Sequence, residues 1–175
     1  EEQLEPEIGE VRDEDDLVVY DGSGVNISAG RAWWMFRVFG HERVAVLDGG
    51  FRRWAEEGRP LESGTVAPLP GRFTAELDAS RVRDAGSMRN NLATHAEQMA
   101  DARSAGRFAG TEPEPRAGLR GGHLPGSRNV PFTSLVGPDG LIGTPDRLRR
   151  QFVEAGLDLE RPIVASCGSG VTACA

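Results

Sequence analysis

"VVYDGSGV" occupies Val18–Val25 and "VASCGSGV" occupies Val164–Val171. The octets agree at Val, Gly, Ser, Gly and Val, and Asp21 stands where the second copy has Cys167. In each, a short apolar run reads as a buried strand, Leu17–Tyr20 in the first and Pro162–Ser166 in the second. Each strand feeds a loop with two glycines, which let the backbone curl until successive N–H groups point inward and form a nest for an anion. A helix expected after the loop adds the positive end of its dipole. A thiol in this position shifts toward thiolate, because its charged form gains hydrogen bonds and dipole attraction. Cys167 is therefore the candidate nucleophile, and Gly168, Gly170, Val171 and Thr172 are candidates for holding a bound anion beside it. A cysteine-dependent phosphatase builds a similar loop, but it needs an arginine six residues after the cysteine. Ala173 stands there, so phosphoryl chemistry is not expected.

The pattern around the loops is that of an α/β chain. After "DGSGV", apolar Ala32, Met35, Phe36 and Phe39 recur at helical spacing before Gly40. Trp33 and Trp34 on that helix read as packing residues. Val44–Gly50 reads as a second strand with a tight turn, and "FRRWAEEGRP" as a short helix stopped by Gly58 and Pro60. Strand, helix, strand, helix predicts a parallel sheet covered by helices. Residues from Ser63 to about Arg83 are punctuated by Pro and Gly and mark a connection. A helix with Met88 and Leu92 on one face is expected over Asp84–Ala96. "MADAR" reads as a strand leaving into a loop at "GRFAG", and Arg128–Val130 as another strand. Thr144 and Pro145 open a helix carrying Leu148, Phe152 and Ala155 toward Gly156.

Composition narrows the function classes. The chain of 175 residues is 38% hydrophobic, and no apolar run approaches the length of a membrane span. The net charge of −7 argues against a general nucleic-acid or anionic-membrane surface. Every one of the 20 basic residues is arginine, the side chain suited to a two-pronged grip on a carboxylate. Cys167 and Cys174 are too few for a disulfide scaffold and lack partners for a metal site, so a reducing cytoplasm and no metal are expected. Cys174 reads as a small apolar residue two helical turns after Cys167.

At this point the motifs carry a resemblance over almost the whole chain. "CGSGVTAC" resembles the active loop of the mercaptopyruvate type of two-repeat sulfurtransferase in the rhodanese superfamily. "VAVLDGGFRRWAEEGRPLESG" is similar to the closing strand, turn and helix of a rhodanese repeat. "DARSAGRFAGTEPEPR" with "GGHLPGSRNVPF" is similar to the opening of the second, catalytic repeat. The resemblance implies a rhodanese-like α/β fold, an open parallel sheet flanked by helices, with parts of two tandem repeats. Residues 1–64 would be the C-terminal part of a non-catalytic repeat and 65–90 an inter-domain linker. Residues 91–175 would be the N-terminal part of the catalytic repeat, ending just after its active loop. Asp21 suits a first repeat that keeps the fold and lacks the nucleophile.

The function so implied is transfer of a sulfane sulfur from 3-mercaptopyruvate through a Cys167 persulfide, without a cofactor. The acceptor would be thioredoxin, a small thiol or cyanide. By the same resemblance Arg107 and Arg116 bind the substrate, and Ser169 relays a proton to the departing enolate. The family's His and Asp partners of that serine would lie before Glu1. His123, followed by a Pro–Gly turn, is expected to be structural; His41 is expected to cap a helix end, and His95 has no acid–base partner nearby in sequence. Asp101 and Arg103 are expected to hold loops together. Two alternatives stay open: a thiosulfate:cyanide sulfurtransferase and a non-catalytic rhodanese-like interaction module.

Overall fold

The computed structural model describes residues 11–64, 67 and 70–174. Two parallel sheets form. The first pairs β1 (Leu17–Val19) with β2 (Val44–Val46), Leu17 opposite Val44 and Val19 opposite Val46. Between them runs α1 (Ile27–Val38), and α2 (Gly50–Glu56) follows β2. The crossover needs an abrupt start, which Asn26 supplies in the left-handed region at φ 51, a conformation asparagine tolerates better than most residues. Its side-chain amide donates to the Leu47 carbonyl at 2.6 Å, tying helix start to strand end. A Cβ on Gly50 would lie 2.5 Å from the Asn26 side-chain oxygen, so this contact requires glycine. His41 is buried beyond the helix end, its Nε2 3.0 Å from the Asp15 carbonyl.

After a single 3-10 turn at Ala79–Arg81, α3 (Ala85–Thr94) begins where Asp84 accepts the Ser87 N–H. His95 closes this helix at φ 52. The second sheet has β3 (Gln98–Asp101) at its centre, β4 (Arg128–Asn129) on one side and β5 (Ile163–Ser166) on the other. All pairs are parallel, and Asp101 lies opposite Ser166. Ala100, Val130 and Leu157 form the buried centre, with Leu135, Phe152, Ala155 and Ile163 packed around them. Phe152 and Ala155 come from the amphipathic helix α6 (Pro145–Glu154) or its end, as their spacing predicts. Thr144 takes the cap position there without a side-chain hydrogen bond.

Three local features differ from expectation. "GRFAG" is a short helix, α4 (Ala105–Ala109), because the Ser104 hydroxyl caps the Arg107 N–H and Gly110 turns left-handed at φ 76. A one-turn helix α5 (Phe132–Leu135) and an antiparallel bridge between Val136 and Ile142 follow β4. Beyond the Cys167 loop, the described residues form a 3-10 turn at Thr172–Cys174 in place of the expected helix. The two sheets meet through loops: Asp48 accepts the Ile142 N–H at 2.9 Å, and α1 lies against the 3-10 turn.

Candidate active site

Open α/β sheets gather ligands at the carboxyl ends of their parallel strands, where the following loops supply backbone N–H groups. Here β3 and β5 end side by side, so the segments after Asp101 and Ser166 share one rim. Cys167 begins the second segment and is half-buried. Gly170, at φ 72, turns the chain so that its N–H donates to the Cys167 Sγ at 3.0 Å. Burial pushes the thiol up, but donors outweigh it: the Thr172 side chain and the N–H groups of Ser169, Ala173 and Gly170 bring it from 9.0 to about 7. These donors come from the loop itself and from the 3-10 turn that follows it. Cys174 is the opposite case. Its thiol donates to the Gly170 carbonyl at 3.0 Å, and burial pushes it up despite Arg31 nearby.

The first segment brings guanidinium to the loop. Arg107, on α4, sits beside Gly168: a Cβ at 168 would stand 2.6 Å from its Nη2. The same guanidinium donates to Glu114 through Nη2 at 2.6 Å, with Nε at 3.3 Å. Glu114, 4% exposed at its side chain, also accepts from Arg103 Nη1 at 2.8 Å. Arg103 Nε donates to Asp101 at 3.0 Å and Nη2 to the Gly122 carbonyl at 2.7 Å. Asp101, Arg103, Glu114 and Arg107 therefore form an alternating, largely buried row ending at the Cys167 loop. Arg107 and then Arg103 hold the Glu114 carboxyl below its ordinary value, against its burial. The expected loop-holding by Asp101 and Arg103 is seen in these bonds. Glu114 was not expected; its only sequence signal is an acidic residue locked between Pro113 and Pro115.

The other expected residues divide. Ser169 is exposed beside Cys167 and turns its N–H toward the sulfur. Val171 and Thr172 lie in the same loop, half-buried. Arg116 is exposed in a bend and makes no hydrogen bond or ion pair among the described residues. His123 is outside the site, its ring stacked 3.7 Å from Phe108 with Nδ1 2.8 Å from the Phe108 carbonyl, a packing role. Among the described residues no group of His, Cys, Asp and Glu could hold a metal ion.

The Asp21 loop repeats this backbone with a different occupant. Gly24 turns at φ 78, as Gly170 does at φ 72. The Asp21 carboxylate folds back into the nest and accepts the N–H groups of Ser23 at 2.7 Å, Ser28 at 2.9 Å and Ala29 at 3.1 Å. Burial raises this carboxyl, and the Ser23 hydroxyl with those N–H groups more than offsets it, so it lies below 3.8. The acid is a built-in anion for the start of α1.

Known proteins share this plan. A rhodanese-like domain model matches residues 1–57. The 3-mercaptopyruvate sulfurtransferase of Rattus norvegicus is 49% identical over 159 residues, covering 90% of this chain and 54% of the relative. The thiosulfate sulfurtransferase of Bos taurus is 45% identical over 160 residues with the same coverage. The crystal structure of SseA from Escherichia coli, a rhodanese-fold protein of the 3-mercaptopyruvate sulfotransferases, superposes with a TM-score of 0.83 at 40% identity. It aligns over 96% of this chain and 62% of that one. The chain thus spans about half the length of the curated relatives it matches. With two parallel sheets, a strand-end CGSGVT loop and these matches, the chain belongs to the rhodanese superfamily.

Proposed function

We propose that this chain carries the nucleophile loop of a sulfurtransferase that takes sulfur from 3-mercaptopyruvate. The observation that supports it most is a cysteine thiol lowered to about 7 inside a backbone nest, with the Arg107 guanidinium at the loop's edge. The Cys167 thiolate attacks the sulfur of mercaptopyruvate and forms an S–S bond. The C–S bond breaks with its electron pair passing to carbon, and the enolate takes a proton to become pyruvate. Cys167 then bears a persulfide whose negative charge the N–H groups of the loop stabilise. A thiolate acceptor, from thioredoxin or a small thiol, or cyanide, attacks the outer sulfur and leaves Cys167 as thiolate. Arg107 and Arg116 are assigned to the substrate carboxylate and keto oxygen, and Ser169 to the proton relay.

Residues 1–64 and 91–175 are assigned to parts of a non-catalytic and a catalytic repeat, joined by 65–90; the like turns at Gly24 and Gly170 support this. Thiosulfate is the second donor, since relatives of that name match at similar identity. Two free thiols accord with a reducing compartment, for which the cytoplasm is proposed. No helix is long and apolar enough to cross a membrane among the described residues. Incubation with mercaptopyruvate followed by peptide mass mapping tests the assignment. A gain of one sulfur atom on the Cys167 peptide is expected, removed by cyanide. No gain from mercaptopyruvate, with a gain from thiosulfate, would replace the donor; no gain from either would leave the idle module.

A further inference from the structure

Arg31 lies on α1, far from Cys167 in sequence, yet its Nη1 donates to the Gly170 carbonyl at 3.1 Å. Its guanidinium lies over the Trp34 ring, 4.5 Å from the centroid, which fixes the plane and direction of the donors. A Cβ on Gly170 would stand 3.1 Å from that same Nη1, so the close approach depends on glycine there. The bonded carbonyl sits at a pivot. On one side, the Gly170 N–H points at the Cys167 Sγ at 3.0 Å. On the other, the 3-10 turn begins, held by the Cys174 N–H to the Val171 carbonyl at 3.1 Å. That turn carries Thr172 and Ala173, two of the other donors to the sulfur; the third, Ser169, precedes the pivot. In a nest, N–H groups face inward only while the carbonyls between them face outward. A donor that fixes the Gly170 carbonyl outward therefore fixes the inward set.

The Asp21 loop has no such device. Arg52 Nη1 lies 3.8 Å from where a Gly24 Cβ would be, but no donor reaches the Gly24 carbonyl among the described residues. There the Asp21 carboxylate itself organises the N–H groups. A thiol is a weaker organiser than a carboxylate, so the Cys167 loop gains more from an outside anchor.

We infer that Arg31 is a positioning residue for the Cys167 loop: the N-terminal half supplies the guanidinium that holds the persulfide nest open toward sulfur. This rests on the reading of Cys167 as the sulfur-carrying nucleophile. The charged and titratable groups around the loop are Arg31 from α1, Arg107 from α4 with Glu114 behind it, and Cys174 from the 3-10 turn. Among the described residues, only Arg31 bonds the loop backbone from the other sheet's half.

The test uses the full chain with Arg31→Met, Arg31→Lys and, as a packing control, Arg37→Met. Arg37 also stacks on a tryptophan of α1, at 5.1 Å from Trp33, but pairs with Glu42 away from the loop. Iodoacetamide labelling of Cys167 is followed against pH by peptide mapping, with circular dichroism reporting the fold. Arg31→Met is expected to slow Cys167 labelling at pH 6 about three- to tenfold and move its midpoint upward, the size of losing part of one charge-assisted hydrogen bond. Arg31→Lys should fall between it and wild type, and Arg37→Met should keep the wild-type midpoint even where its stability drops. If Arg31→Met does not fold, the folded Arg31→Lys variant carries the comparison. A wild-type midpoint in the folded Arg31 variants, or an equal shift in Arg37→Met, overturns the inference. Loading wild type with mercaptopyruvate separates the two readings. If Cys167 gains no sulfur, the site assignment fails; if it gains sulfur while the Arg31 variants match wild type, only the role of Arg31 fails.

Discussion

Lowering the pH from 9 to 6 should turn two ordinary-looking cysteines into a fast and a slow one. Cys167, lowered to about 7, and Cys174, raised above 9.0, ionise in separate pH ranges. At pH 6 a thiol of pKa 7 is about one-tenth thiolate and a thiol of pKa 9 about one-thousandth, roughly a ninetyfold advantage. The less basic thiolate is also the weaker nucleophile, and a Brønsted slope near 0.45 returns about eightfold of that. The net advantage of Cys167 over an unperturbed thiol is thus about tenfold at pH 6, and over Cys174 it is larger. The sign follows from the direction of each shift. As pH rises through the Cys167 value its thiolate saturates, while Cys174 goes on gaining, so the selectivity shrinks toward pH 9. Limiting iodoacetamide with peptide mapping at several pH values measures this directly. Equal labelling at pH 6, or a ratio that does not change with pH, would refute the account of the nest.

Two further outcomes follow from the loops. Asp21→Ala should destabilise the protein by about 1 kcal/mol in urea unfolding, the usual size of a lost helix-start acceptor. Because the folded carboxyl lies below 3.8, that contribution is present above the ordinary carboxylate range and fades as pH falls through the folded value; a deficit that persists undiminished in acid would contradict it. The complete enzyme should favour mercaptopyruvate over thiosulfate at least about tenfold in kcat/KM, or about 1.4 kcal/mol. Gly168→Arg with Ser169→Lys should narrow the ratio in a salt-sensitive way, since a side chain at 168 would also displace Arg107; steady-state kinetics with both donors showing an unchanged ratio would count against it.

The alternation of strand and helix was legible because it is written in local apolar periodicity. Leu17–Val19, Val44–Val46 and Ile163–Ser166 are strands where their β-branched runs place them, and Phe152 and Ala155 pack against the second sheet's core. The turn around Cys167 was legible from its glycines, and Gly170 does turn its N–H onto the Cys167 sulfur. The short helix α4 was not, because five residues carry too little periodicity and only the Ser104 cap and Gly110 announce it. Glu114 could be found only by knowing that two arginines converge on it, and Arg31 only by knowing which face of α1 meets the 3-10 turn. Contacts between distant segments leave no period in the chain.

The Asp21 loop also says something about the cost of moving charge. It carries a full negative charge in the resting fold, solvated by three backbone N–H groups and one serine hydroxyl, with no guanidinium bonded to it among the described residues. Its glycine turn differs by only a few degrees from that of the Cys167 loop. A backbone of this shape is therefore already polarised for an anion before one arrives, and its dipoles need not rotate when charge appears. On the proposed mechanism, thiol, thiolate and persulfide would succeed one another at Cys167 with little reorganisation of their surroundings. In such a cycle the donor, the acceptor and one proton would move, while the peptide solvent around the sulfur would stay still.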